Sequence, residues 1–299
     1  MKNILKISCC ALAIGVCFPA SAALPPEVQA MLDTAIAKGD KAKLEAVAEI
    51  AKATYPQDEA EIAAVVASYN AQQAAAAEEH KRQAGFFDNW KGTGEAGGFI
   101  TTGNSSTKGV SAGLSLNKEG IDWRHKIRVQ ADYQRADGET TRNQWMASYE
   151  PNYQLSHNLY AYGLGMVERD KFQGFSNRLT ASGGLGYRVI DNDSMTLDVK
   201  AGPAWRRTKW TVEPATETLN GLLGADFLWH VTPTIDFTNG TQMLWASDNS
   251  TYSNVSALTA NLGGALSARL SYSWRRETSP PAGLKKTDTI TRATLVYGF

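Results

Sequence analysis

The sequence predicts an all-β fold, a transmembrane antiparallel up-and-down β-barrel of about twelve strands with an α-helical N-terminal extension. Three observations carry this: strict two-residue alternation, its recurrence to the C-terminus, and connections that alternate between short and long. The alternation is clearest from Ile121 to Gln134, where Ile121, Trp123, His125, Ile127, Val129, Ala131 and Tyr133 oppose Asp122, Arg124, Lys126, Arg128, Gln130, Asp132 and Gln134. Such a strand has one face in an apolar medium and the other in water. A soluble barrel or sandwich would use that apolar face as its core and a membrane barrel would turn it to lipid, and aromatic placement favours lipid: Trp123 and Tyr133 are ten residues apart, which in a tilted strand is ~25 Å of height, the span between the aromatic girdles of an outer-membrane barrel.

Residues 1–22 read as a secretory leader. Lys2 and Lys6 precede an apolar stretch from Ile7 to Val16, and Ala20-Ser21-Ala22 forms a small-residue site that predicts cleavage between Ala22 and Ala23. All three cysteines, Cys9, Cys10 and Cys17, lie in that leader, so the mature chain carries no disulfide framework. Basic and acidic residues number 30 each over the whole chain; without Lys2 and Lys6 the balance is 28 against 30, a net charge of −2 that gives no reason to expect nucleic acid as a partner. No run of 18 apolar residues follows the leader, so a bilayer would be crossed by a closed barrel.

Residues 23–85 are rich in alanine, glutamate and lysine and predict a helical segment. Pro26 suits a first turn, and Val28, Met31, Leu32, Ala35 and Ile36 recur at helical spacing as far as Gly39. Asp40 can cap a second helix carrying Leu44, Val47, Ile50 and Ala51, which Pro56 ends; a third carries Ile62, Val65 and Val66 into the alanine-rich Ala71 to Lys81. A self-packed bundle, a loose linker, a periplasmic contact arm for a partner and a partial plug all fit these narrow stripes.

The barrel is expected over residues 86–299. Strand 1 is glycine-rich, Gly92 to Thr102, and strand 2 shows Val110, Ala112, Leu114 and Leu116 on one face. Strand 4 sets Trp145, Ala147, Tyr149 and Tyr153 outward, and strand 5 is read with Tyr160, Tyr162, Leu164 and Met166 as its lipid face. Strands 6 to 9 follow with Leu185 and Tyr187, Leu197 and Val199, Leu223 and Phe227, and Phe237 and Trp245. Strand 10 runs through Leu258 and Leu262 to Leu266, strand 11 shows Leu270, Tyr272 and Trp274, and strand 12 ends on Leu295, Tyr297 and Phe299. Joins after even strands are short, such as Asp191-Asn192-Asp193, and those after odd strands are long and polar, such as Ala136 to Arg142 and Glu277 to Asp288. Short periplasmic turns and longer outer loops put both termini of the barrel in the periplasm.

Trp90-Lys91-Gly92, Gly97-Gly98 and the loop Thr102-Gly103-Asn104-Ser105, followed by Val110, Leu114 and Leu116, resemble the YdiY-like family of salt-induced outer-membrane proteins over about residues 90–299. The resemblance implies an outer-membrane barrel and assigns no activity. Leu295, Tyr297 and Phe299 resemble the terminal signal by which such barrels meet their assembly machinery. Lipid and lipopolysaccharide are the other expected partners.

The four histidines, His80, His125, His157 and His230, fall away from the outer loops, and the carboxylate pairs Asp137 with Glu139, Glu168 with Asp170 and Asp191 with Asp193 have no partner base. No catalytic residue, metal set or cofactor is therefore expected, and an outer-membrane hydrolase is a distant alternative; calcium or magnesium bridging lipopolysaccharide at the loops would be unspecific. By parity Arg124, Lys126, Arg128, Arg178, Arg188, Lys200, Arg206, Arg269, Arg275 and Arg292 face inward against Glu95, Asp132, Glu150, Asp198, Asp226 and Asp236. Ten bases against six acids make a modestly cationic lumen. Either it is a narrow channel favouring small anions, in a solute-passing or envelope-stress protein, or the charges pair and fill a non-conducting structural or interaction barrel. A third-to-fourth loop centred on Glu139 would place Arg128 opposite Glu150.

Overall fold

The computed structural model describes residues 24–102, 107–136, 139–247 and 249–299. The leader with Ala22 and Ala23, the loop residues Gly103, Asn104, Ser105 and Ser106, and Asp137 of the carboxylate pair lie outside the described residues. The chain divides into two compact units, one ending at His80 and one spanning Lys81 to Phe299.

The first unit holds α1 (Pro26–Ala37), α2 (Lys41–Thr54) and α3 (Glu59–Gln83) up to His80, the last three residues of α3 belonging to the second unit. Proline opens α1, and Gly39, at φ +66°, supplies the left-handed residue that turns the chain toward α2. The Asp40 carboxylate accepts from the Lys43 amide at 3.2 Å and pairs with its ammonium at 2.8 Å. Those hydrogen bonds hold the Asp40 carboxyl below its ordinary range. Val28, Leu32, Leu44 and Ile62 are fully buried in one small core, whereas Met31 and Ile50 of the expected stripes are exposed.

The second unit is a closed antiparallel barrel. Its strands are β1 (Trp90–Thr102), β2 (Thr107–Glu119), β3 (Trp123–Ala136), β4 (Glu139–Gln154), β5 (Leu159–Asp170), β6 (Phe175–Asp191), β7 (Met195–Trp210), β8 (Thr216–Thr232), β9 (Ile235–Trp245), β10 (Thr251–Gly263), β11 (Leu266–Glu277) and β12 (Thr287–Gly298). Each strand pairs with its neighbours in sequence, and β1 pairs with β12 in the register Ala96 to Leu295. Backbone bonds of 2.8 and 2.9 Å between Gly92 and Phe299 complete the seam. No strand edge is left open, as a bilayer requires.

Sidedness decides between a soluble and a membrane barrel. Leu185 (54 % exposed), Leu223, Leu258, Leu270 and Leu295 (57 %) cover the outside, while Asp132 (1 %) and Arg178 (2 %) are buried inside. A barrel that turns leucine out and encloses arginine and aspartate is membrane-spanning.

Four expectations need correction. In β5 the set Tyr160, Tyr162 and Leu164 is buried in the lumen, because Gly186 of β6 leaves the space that the Tyr160 ring occupies: a Cβ on Gly186 would lie 2.1 Å from that ring. Ala136 to Arg142 is mostly paired strand rather than long loop, since β3 and β4 extend to Ala136 and Glu139. That register places Lys126, not Arg128, opposite Glu150. Finally, Leu266 begins β11; the reversal before it uses Gly263 and Gly264 at φ +122° and +57°, conformations that favour glycine.

Candidate functional site in the barrel lumen

Alternation delivers every second side chain of each strand into the lumen, where the charged residues form layers. Toward the short-turn end, Arg188 donates from Nε and Nη2 to the Asp198 carboxylate at 3.1 and 3.3 Å and also reaches Asp191 at 3.4 Å. Arg124 approaches Asp198 at 3.8 Å and lies 4.7 Å over the Tyr160 ring. Here the acids Asp198 and Asp226 are direct cross-strand neighbours, a repulsive pair on its own, and the cations around them cancel it.

The next layer is a quartet. Lys200 donates to Glu150 at 2.6 Å and approaches Asp226 at 3.6 Å, and Lys126 lies 3.9 Å from Glu150 and 3.7 Å from Asp226. Lys126 and Glu150 come from the β3–β4 wall, Lys200 and Asp226 from the β7–β8 wall, so the ammonium and carboxylate groups meet across the bore. Beside it, Arg292 grips Asp132 bidentately at 3.1 and 2.7 Å, the geometry of the stronger charge-assisted bonds. Gln144 donates to the same carboxylate at 3.0 Å. Arg269 reaches Glu95 only at 4.0 Å. Arg128 is exposed within the lumen and, among the described residues, has no carboxylate within ion-pair distance.

The long-loop end carries further buried pairs. Arg275 of β11 donates to Glu168 of β5 at 2.7 Å, and Arg178 of β6 donates to Glu277 of β11 at 2.9 Å. Arg206 donates to Thr251 at 2.7 Å, and Arg178 stacks 3.9 Å over the Phe175 ring. Strands β5 and β11 are diametrically opposed in the ring. Eight strands leave a bore that side chains just fill, and twelve leave a wider one; here long arginine and glutamate side chains reach across that wider bore from opposed walls.

Glu168, Asp170 and Glu277 were not among the acids expected inside. Glu168 and Asp170 read as solvated loop residues and Glu277 as the start of a loop, yet Glu168 and Asp170 are buried and Glu277 is fixed by Arg178. The available signal was parity: Glu168 and Asp170 continue the even-numbered series of Tyr160, and Glu277 the odd-numbered series of Arg275. Adding these three to the six expected acids brings the lumen close to charge balance.

Leu222, Leu244 and Ala204 join Tyr160, Tyr162 and Leu164 in an apolar cluster on the inner wall, and the Tyr162 hydroxyl meets Ser182 at 3.0 Å. His230 meets Asp236 at 2.6 Å near a short turn, both half-exposed, and His125 points outward, 3.0 Å from the Tyr149 hydroxyl. Leu295, Tyr297 and Phe299 lie exposed on the outer face of β12 and just beyond it.

The model of a family described as a protein of unknown function, DUF481, matches residues 94–299. The chain belongs to that family. It is also 20 % identical over 210 residues to the uncharacterized protein YdiY of Escherichia coli K12, covering 70 % of this chain and 82 % of that one. The resemblance noted from the first two strands thus holds through the barrel. Among solved structures, the NanC porin is similar at 10 % identity and a TM-score of 0.48, over 69 % of this chain and 98 % of that one. The translocator domain of the autotransporter NalP from Neisseria meningitidis is similar at 12 % identity and a TM-score of 0.41, over 80 % and 99 %.

Proposed function

We propose that this DUF481 chain is a bacterial outer-membrane barrel whose lumen is sealed by ion pairs that cross the bore, a non-conducting structural or interaction barrel in its resting state. The supporting observation is the contact of Arg275 with Glu168 between opposed walls, backed by Arg178 with Glu277. Solutes moving along the axis would have to break buried charge pairs, and exposing one partner alone is strongly unfavourable. Within this reading residues 1–22 are removed at Ala22 and Ala23, residues 23–85 form a periplasmic unit available to a partner, and 86–299 form the barrel. Both barrel termini then face the periplasm, and Leu295, Tyr297 and Phe299 engage the assembly machinery.

A narrow anion-favouring channel is the second reading, favoured by Arg128, which faces the lumen without a carboxylate partner among the described residues, and by the long Arg269–Glu95 separation. Liposome swelling separates the two. Reconstituted wild-type protein is expected to admit small sugars and small organic anions no faster than protein-free liposomes; selective uptake of the anions would overturn the sealed reading in favour of the channel.

A further inference from the structure

The segment before β1 does not leave the barrel freely. The Lys118 ammonium, on the outer face of β2 and almost fully buried, donates to the carbonyls of Gly85 and Phe86. The Trp90 indole donates to the Phe86 carbonyl at 2.8 Å, and the Gly85 amide donates to the Asp88 carboxylate at 2.8 Å. Asn89 adopts φ +60°, the left-handed region, which asparagine tolerates better than most residues. These restraints tie residues 85–89 to the outer wall at the short-turn end.

What they hold in place is aromatic and exposed. Phe87 is 88 % exposed and packs edge-on against Phe86 at 5.2 Å. Phe86 in turn meets Trp90 and His125 at 6.0 and 5.8 Å, and His125 is stacked between Trp123 and Tyr149. Trp123 and Tyr149 are outward residues toward the short-turn end of their strands, so the Phe86–Phe87 pair continues that outer aromatic surface. Aromatic rings with a polar rim are suited to the boundary between headgroups and acyl chains.

We propose that residues 85–89 are a lipid anchor, in which Phe86 and Phe87 enter the phospholipid leaflet at the short-turn end and Lys118 acts as the clasp that holds them there. The proposal rests on the membrane-spanning reading of the belt, and the test contains a separate control for that reading.

Benzoylphenylalanine, a photoreactive analogue that preserves the aromatic character, is placed at Phe87, at Val129 in the middle of the belt, or at Glu213 in the connection between β7 and β8. The full chain is reconstituted in phosphatidylethanolamine–phosphatidylglycerol vesicles, irradiated and analysed for lipid adducts by mass spectrometry. Adducts at 87 and 129 but not at 213 are expected, and Lys118→Met should lower the yield at 87 severalfold while leaving that at 129 unchanged. Adducts at 129 with none at 87, or adducts at 87 to a second protein chain, would overturn the anchor. Absence at both would overturn the belt itself. An unchanged yield at 87 in the Lys118→Met variant would remove the clasp from the proposal.

Discussion

Replacing Arg275 by alanine should open the long-loop end of the lumen. Its guanidinium is 2.7 Å from Glu168 and 3.5 Å from Glu277, and the Glu168 side chain is only 10 % exposed. No other cation lies within ion-pair distance of Glu168 among the described residues. Its removal leaves a buried carboxylate without its direct partner, a loss that costs up to about 3–5 kcal/mol. The barrel can relieve that cost by hydrating Glu168 and letting the β5 and β11 walls separate, shifting the closed-to-open ratio by roughly two to nearly four powers of ten at 1.4 kcal/mol per tenfold change. Planar-bilayer recording of Arg275→Ala should therefore show stepwise currents, and urea unfolding in detergent should show lower stability. Glu168→Gln combined with Arg275→Met removes both charges while keeping side-chain volume, and should return the barrel to a silent, stable state. An Arg275→Ala barrel as silent and as stable as wild type would refute the idea that this pair holds the walls together.

Further consequences follow from sidedness and packing. Leu223→Arg, on the lipid face, should destabilise the barrel by about 2–4 kcal/mol if the residue lies near the bilayer midplane, measured by reversible unfolding in lipid vesicles; an effect within about 0.5 kcal/mol, the usual range for exposed sites in water, would contradict the outward belt. Gly186→Ala should cost about 1–3 kcal/mol by driving a methyl group into the Tyr160 ring, and Tyr160→Ala in the same chain should recover part of that loss; full tolerance of Gly186→Ala would show that Tyr160 does not fill the lumen there. Because buried pairs are screened far less than surface ones, raising salt from about 0.1 to about 1 M should leave wild-type liposomes sealed. Salt-induced leakage would mean that the pairs are solvated.

Much of the architecture was legible because lipid and water enforce opposite chemistry on alternate residues. In β3 the tryptophan, isoleucine and valine could only be outside once Arg124, Lys126 and Arg128 had to be inside. Where the inner wall is itself apolar, that logic loses its grip. Tyr160, Tyr162 and Leu164 look like a lipid face because hydrophobicity alone does not distinguish a side chain dissolved in hydrocarbon from one filling a cavity. The glycines opposite and the acids further along the same parity carried the missing information. The Arg275–Glu168 and Arg178–Glu277 contacts were out of reach for a different reason: they join strands far apart in the ring, and their meeting depends on how the ring closes rather than on any one strand.

Single-channel recording of the wild-type protein in a planar bilayer bears on the sealed lumen most directly. With insertion verified independently by resistance of the reconstituted barrel to protease, the recordings should stay at baseline in potassium chloride and in salts of small organic anions. Regular, reproducible steps from the unmodified chain would mean that ions pass between the opposed arginines and glutamates, and the occluded bore would have to be abandoned.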